Sequence, residues 1–80
     1  MSLDAAIDKV IDARGSFCPG PLMELIAAFK LLPVGAVVEV LSNDRGSQDE
    51  IPAWSAKAQH DFLSSEQRGD HWAIRVRKAR

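Results

Sequence analysis

The chain's single cysteine, Cys18, stands in the run Arg14-Gly15-Ser16-Phe17-Cys18-Pro19-Gly20-Pro21, where the strand-like Val10 and Ile11 give way to a helix-like pattern. Proline cannot donate a backbone hydrogen bond, so Pro19 suits the first helical position, where the N–H has no acceptor in any case; Cys18 is then the N-cap. There the sulfur faces the positive end of the helix dipole and the unpaired N–H groups of the first turn, all of which favour thiolate over thiol. Pro21 fits the same first turn, and Gly20 leaves the approach to the sulfur uncrowded. Free cysteines are often buried and inert. A strand-to-helix loop, however, is a poor place for core and a common place for chemistry, so the position points to a functional thiol. Where a Cys-x-x-Cys redox motif would carry its second cysteine stands Pro21, and one cysteine cannot form an internal disulfide.

The elements that must position this thiol can be read around it. Residues 2–6 suggest a loose helical start, with the first eight residues expected to fray. A strand follows at Lys9 to Asp12, Gly15 permits a turn, and a helix opens at Cys18. Leu22, Leu25, Phe29 and Leu32 recur at intervals of three and four and define a core stripe. Met23, Ile26 and Ala27 form a second apolar face, which is either further core or a docking surface beside the thiol. Pro33-Val34-Gly35 ends the helix.

Ala36 to Ser42 reads as a central strand, with Val38 and Val40 on one side and Val37, Glu39 and Leu41 on the other; Glu39 marks the wetter face. Ser42 to Gly46 reads as a loop, and Ser47 with Glu50 as a capping box for a second helix. Pro52 conflicts with that start, so the helix is either kinked there or begins nearer Pro52. Ile51, Trp54 and Ala58 should face the sheet, Trp54 as core. His60 to Gln67 is a weaker strand, Arg68-Gly69-Asp70 a hairpin turn, and Trp72, Ile74 and Val76 alternate with Ala73, Arg75 and Arg77 in a last strand. The expected fold class is α/β (α+β): a two-layer sandwich in the order β-α-β-α-β-β, with a four-stranded mixed sheet and both helices on one face. A right-handed crossover would pair the first two strands in parallel.

At 80 residues the chain is one domain, 1–80, with a core one layer deep. Its net charge is −1, and no apolar run approaches the roughly 18 residues of a membrane span. Residues 1–9 lack a signal-peptide pattern, so a reducing cytoplasm is the expected location. One cysteine and two histidines, His60 and His71, fall short of a zinc site, and no metal or cofactor is expected.

The pattern Asp12-x-x-Gly15-x-x-Cys18-Pro19-x-Pro21, followed by an amphipathic helix, a Gly-initiated apolar strand, an Asp44 turn, Ile51-Pro52 and a last strand ending Val76-Arg77-Lys78, resembles the TusA (SirA-like) sulfur-carrier family. The resemblance runs from near Ile11 to Lys78. It implies the same architecture, with Cys18 taking a sulfur atom as a persulfide from a donor protein and handing it to an acceptor protein. Asp12, Gly15, Pro19 and Pro21 then support the thiol. Family helices often carry basic residues where Met23, Ile26 and Ala27 stand here, and the family usually has Asp-Asp-Pro where this chain reads Asn43-Asp44-Arg45. Met23, Ile26, Ala27, Asp44 and Arg45 are accordingly the candidate partner-binding residues.

Two other classes share part of this pattern. A single-cysteine redox protein would use the same thiolate but wants a resolving thiol. A small nucleic-acid module could be argued from Trp72, Arg75, Arg77, Lys78 and Arg80, yet the chain is slightly acidic and these cations lie on one terminal strand. The preferred partners are therefore a sulfur-donor protein, a cysteine desulfurase or a rhodanese, and a sulfur acceptor, with no membrane and no direct nucleic acid.

Overall fold

Valine and isoleucine alternate through the second and last strands, and a sheet with one apolar face must cover it. The computed structural model, which describes residues 7–16 and 20–80, does so with two helices. The elements are β1 (Lys9–Asp12), α1 (Gly20–Leu31), β2 (Val37–Ser42), α2 (Arg45–Lys57), β3 (Asp61–Arg68) and β4 (His71–Arg77). The strands lie in the order β1-β2-β4-β3. The β1–β2 pair is parallel, with Ile11 opposite Val40, and the other two pairs are antiparallel. This is the expected two-layer α+β architecture.

Ile11, Val38, Val40, Ile74 and Val76 form the sheet's contribution to the core, and Leu25, Ala28, Phe29 and Ile51 cover them from the helices. The predicted stripe on α1 is therefore correct: Leu25 and Phe29 are buried, and Leu22 and Leu32 pack at the edge of the same cluster. Residues 2–6 lie outside the described residues. Among the described residues no helix is long and apolar enough to cross a membrane.

Three expectations need correction. Glu39 does point away from the helices, but that position is not wet: the residue is 5% exposed. Arg75, directly opposite on β4, lays its Nε 2.9 Å from Glu39 Oε2, and an Arg68 nitrogen lies 3.4 Å from the same oxygen. Two guanidinium groups roof the carboxylate and replace its water.

Secondly, α2 begins at Arg45, ahead of both the Ser47 capping box and Pro52. Asp44 occupies the N-cap with extended backbone angles; the Ser47 hydroxyl donates to its carboxylate at 3.2 Å, which consumes Ser47 in the first turn. Pro52 lies inside the helix and does not start it. Thirdly, the β3–β4 hairpin turns on Gly69 and Asp70 alone, since Arg68 still pairs with His71; Gly69 supplies φ +65°. In addition, Trp54 is half-buried: it packs against Phe29 and His60, with ring centres 5.7 and 5.2 Å away.

The chain end locks the helical layer to the sheet. Lys78 Nζ donates to the carbonyls of Phe29 and Leu32 at 2.5 and 2.6 Å, placing a cation at the negative end of α1. Beside it, His60 Nδ1 accepts the Ala79 N–H at 3.1 Å, and its ring meets Phe29 edge-on at 4.8 Å. Burial, then the nearby Lys78 and Arg80 charges, push the His60 pKa below its ordinary 6.5. Protonation of His60 is thus favoured in the unfolded chain, so its contribution to stability is present above pH 6.5 and is lost as pH falls through the lowered folded value. The urea midpoint of the wild-type chain should decline across that interval, and His60→Asn should flatten the decline; identical pH profiles would contradict this role for His60.

Candidate functional site

In the described part of the segment that follows β1, Ala13 to Ser16, each backbone N–H finds its own acceptor. Ala13 N donates to Leu41 O at 2.8 Å, extending the parallel pairing one residue beyond β1. Arg14 N donates to Asp12 Oδ1 at 3.2 Å, Gly15 N to Asn43 Oδ1 at 2.9 Å, and Ser16 N to Ala13 O at 3.0 Å. The last of these closes a four-residue turn, Ala13 to Ser16, whose third residue is Gly15 at φ +92°. That is the position at which a type II turn requires positive φ, and an added Cβ on Gly15 would meet nothing within 4 Å, so the requirement is conformational and not steric crowding.

Asp12 supports this turn twice. Besides the Arg14 backbone, its carboxylate holds the Arg14 guanidinium through Nε and a terminal nitrogen, both at 2.9 Å. These hydrogen bonds, the side-chain pair first and the backbone bond second, lower the Asp12 pKa to about 2. Arg14 is exposed but committed to Asp12.

Beyond Ser16, residues Phe17, Cys18 and Pro19 lie outside the described residues, and with them the expected N-cap of Cys18 and the role of Pro19. The described part of α1 begins at Gly20, so by chain position Cys18 falls between the closed turn and that residue. Pro21 is fully buried in the first turn. No acidic residue lies in that turn, so nothing on the helix itself opposes the positive end of its dipole.

The other predicted residues divide. Asp44 and Arg45 start α2 at the same end of the sheet as the turn, because Asn43 bridges the two segments. Met23 is 56% exposed and Ala27 is exposed, so neither is core, while Ile26 is half-buried. Ala27 also lines a groove of about 450 Å³ between α1 and β1, with Val10, Glu24 and Leu31. The residue that sequence reading missed is Asn43. Its signal was available, since an amide directly after a strand is a strong turn-forming side chain, but its partner lies 28 residues away.

A two-layer α+β domain with a lone cysteine between a pinned βα turn and a helix N-terminus is the class that the geometry defines. The model of the sulfurtransferase TusA family matches residues 9–78, and the chain belongs to that family. Among curated proteins, it is 52% identical over 69 residues to a candidate sulfur carrier of Archaeoglobus fulgidus, covering 86% of this chain and 94% of the relative. It is 28% identical over 72 residues to the sulfur carrier protein TusA of Pseudomonas savastanoi, covering 90% and 86%. A SirA-like protein from Desulfitobacterium hafniense has the same fold: TM-score 0.79 at 22% identity, over 90% of this chain and 99% of that one.

The geometry of the turn yields a paired expectation. Gly15→Ala forces a side chain into φ +92° and should destabilise the chain by about 1–2 kcal/mol. Gly20→Ala, whose Cβ would sit 3.6 Å from that of Ser16 in ordinary contact at a helical position, should be neutral or stabilising by up to about 1 kcal/mol. Urea denaturation of both variants checks this, and equal stabilities would contradict the turn.

Proposed function

We propose that this chain is a sulfur carrier that accepts sulfur as a persulfide on Cys18 from a donor protein, a cysteine desulfurase or a rhodanese, and passes it to an acceptor protein. The observation that carries the reading is the TusA family match over residues 9–78 in a chain whose only cysteine falls between the Ala13–Ser16 turn and α1. The relay belongs to transfer RNA thiolation, molybdenum-cofactor sulfuration or the oxidation of reduced sulfur, in a reducing cytoplasm.

The Cys18 thiolate attacks the outer sulfur of the donor persulfide. A new S–S bond forms to Cys18, the donor's S–S bond breaks, and the donor leaves as a thiolate. An acceptor thiolate then attacks the outer sulfur of Cys18-S-SH and returns Cys18 as thiolate, so no external oxidant or reductant is consumed. The N-terminus of α1 stabilises the anion at both stages. No resident cofactor or metal takes part.

Because the outer sulfur must be reached by another protein, the surface around Cys18 has to be covered in turn by donor and acceptor. Met23, Ile26 and Ala27 offer exposed apolar area one to two turns along α1, and Asp44 and Arg45 flank the turn from the other side.

Incubation with a cysteine desulfurase and cysteine, or with a rhodanese and thiosulfate, should add the mass of one sulfur atom, removable by reductant and absent in Cys18→Ser; no added mass with any compatible donor sinks the proposal. Ile26→Lys should slow loading from the protein donor while leaving the melting temperature within a few degrees of wild type. Unchanged loading would move the docking surface away from α1.

A further inference from the structure

Of the four successive N–H groups from Ala13 to Ser16, three are satisfied by β1, β2 or the turn itself, and only Gly15 depends on a side chain from a distant segment. The backbone that carries Asn43 is itself held in place. On one side of it the fully buried Ser42 accepts the Asp44 N–H on its hydroxyl at 3.1 Å. On the other, the buried Ser47 donates its own N–H to the Asp44 carbonyl at 3.1 Å and its hydroxyl to the Asp44 carboxylate at 3.2 Å. The backbone that presents the amide oxygen is thus fixed on both sides, and the bond to the Gly15 N–H joins the turn to the start of α2.

We infer that Asn43 is a positioning residue for sulfur transfer, its amide oxygen holding the Ala13–Ser16 turn in the geometry from which Cys18 reacts. This rests on the carrier reading above. A carbonyl-type oxygen at the end of a two-carbon side chain is the required chemistry; asparagine supplies it without a negative charge at the turn, and aspartate supplies it with one. Asn43 is exposed, so its truncation leaves the core untouched.

The test compares wild type with Asn43→Ala, Asn43→Ser and Asn43→Asp by two readouts: amide exchange of Gly15 by NMR, and the rate of sulfur loading on Cys18 from a rhodanese with thiosulfate, followed by mass. Ala and Ser variants should keep the wild-type melting temperature, exchange Gly15 several-fold faster and load several-fold more slowly. Asn43→Asp should restore Gly15 protection and most of the loading rate, a rescue that general loosening of the fold would not give. Unchanged Gly15 exchange or unchanged loading in both loss variants overturns the inference while leaving the carrier reading intact. A wild-type chain that takes up no sulfur overturns that reading and this inference with it.

Discussion

Parallel strands cannot be joined by a tight turn, and the parallel pairing of β1 with β2 is the constraint from which the site follows. The chain must leave the C-terminal end of β1, return along the sheet as a helix, and enter β2 at the same end as β1 began. That crossover is α1. Its N-terminus therefore lies at the C-terminal edge of the sheet, and so does the exit from β2 into α2. The segments carrying Gly15 and Asn43 become neighbours although they stand 28 positions apart in sequence, and the 2.9 Å bond from Gly15 to Asn43 is the local expression of that arrangement. Lys78 fixes the opposite end of the same helix, so α1 is anchored where it finishes as well as where it starts.

The two faces of the sheet are stabilised by different physics. On the helical side apolar burial dominates, with Val38, Val40, Ile51, Ile74 and Val76 wholly removed from water. On the other side cross-strand charge pairs cover the surface: Glu39 with Arg75 and Arg68, and Asp61 with Arg77 at 2.8 Å. Of the cations Arg68, Arg75, Arg77 and Lys78, the three arginines are thus paired with carboxylates and Lys78 with helix carbonyls.

Element order, sheet faces and the core stripe of α1 were legible in the sequence because periods of two and of three to four residues record which side of an element meets the core. What was not legible depended on partners distant in sequence. Glu39 looked like a wet position because nothing local reveals that Arg75 stands opposite it. The start of α2 was misplaced because Asp44 and Ser47 are both good cap residues three positions apart, and only their mutual hydrogen bond decides between them. Asp12 and Gly15 stood out in the motif, and their hydrogen bonds and φ show what they do for the Ala13–Ser16 turn; the bridging role of Asn43 was not legible because a side chain that joins two loops leaves no period to read. The expected cap geometry of Cys18 and Pro19 lies outside the described residues.

At the centre of the functional reading is a thiol that the fold activates, not one that it buries. The rate at which Cys18 reacts with a small alkylating reagent at neutral pH, in the native chain and in the same chain unfolded by urea, tests this most directly. The sulfur-carrier reading predicts faster reaction in the native state, because a cysteine activated at a helix N-terminus reacts as the thiolate. Slower reaction in the native state would make Cys18 a buried structural residue and contradict the sulfur-carrier reading.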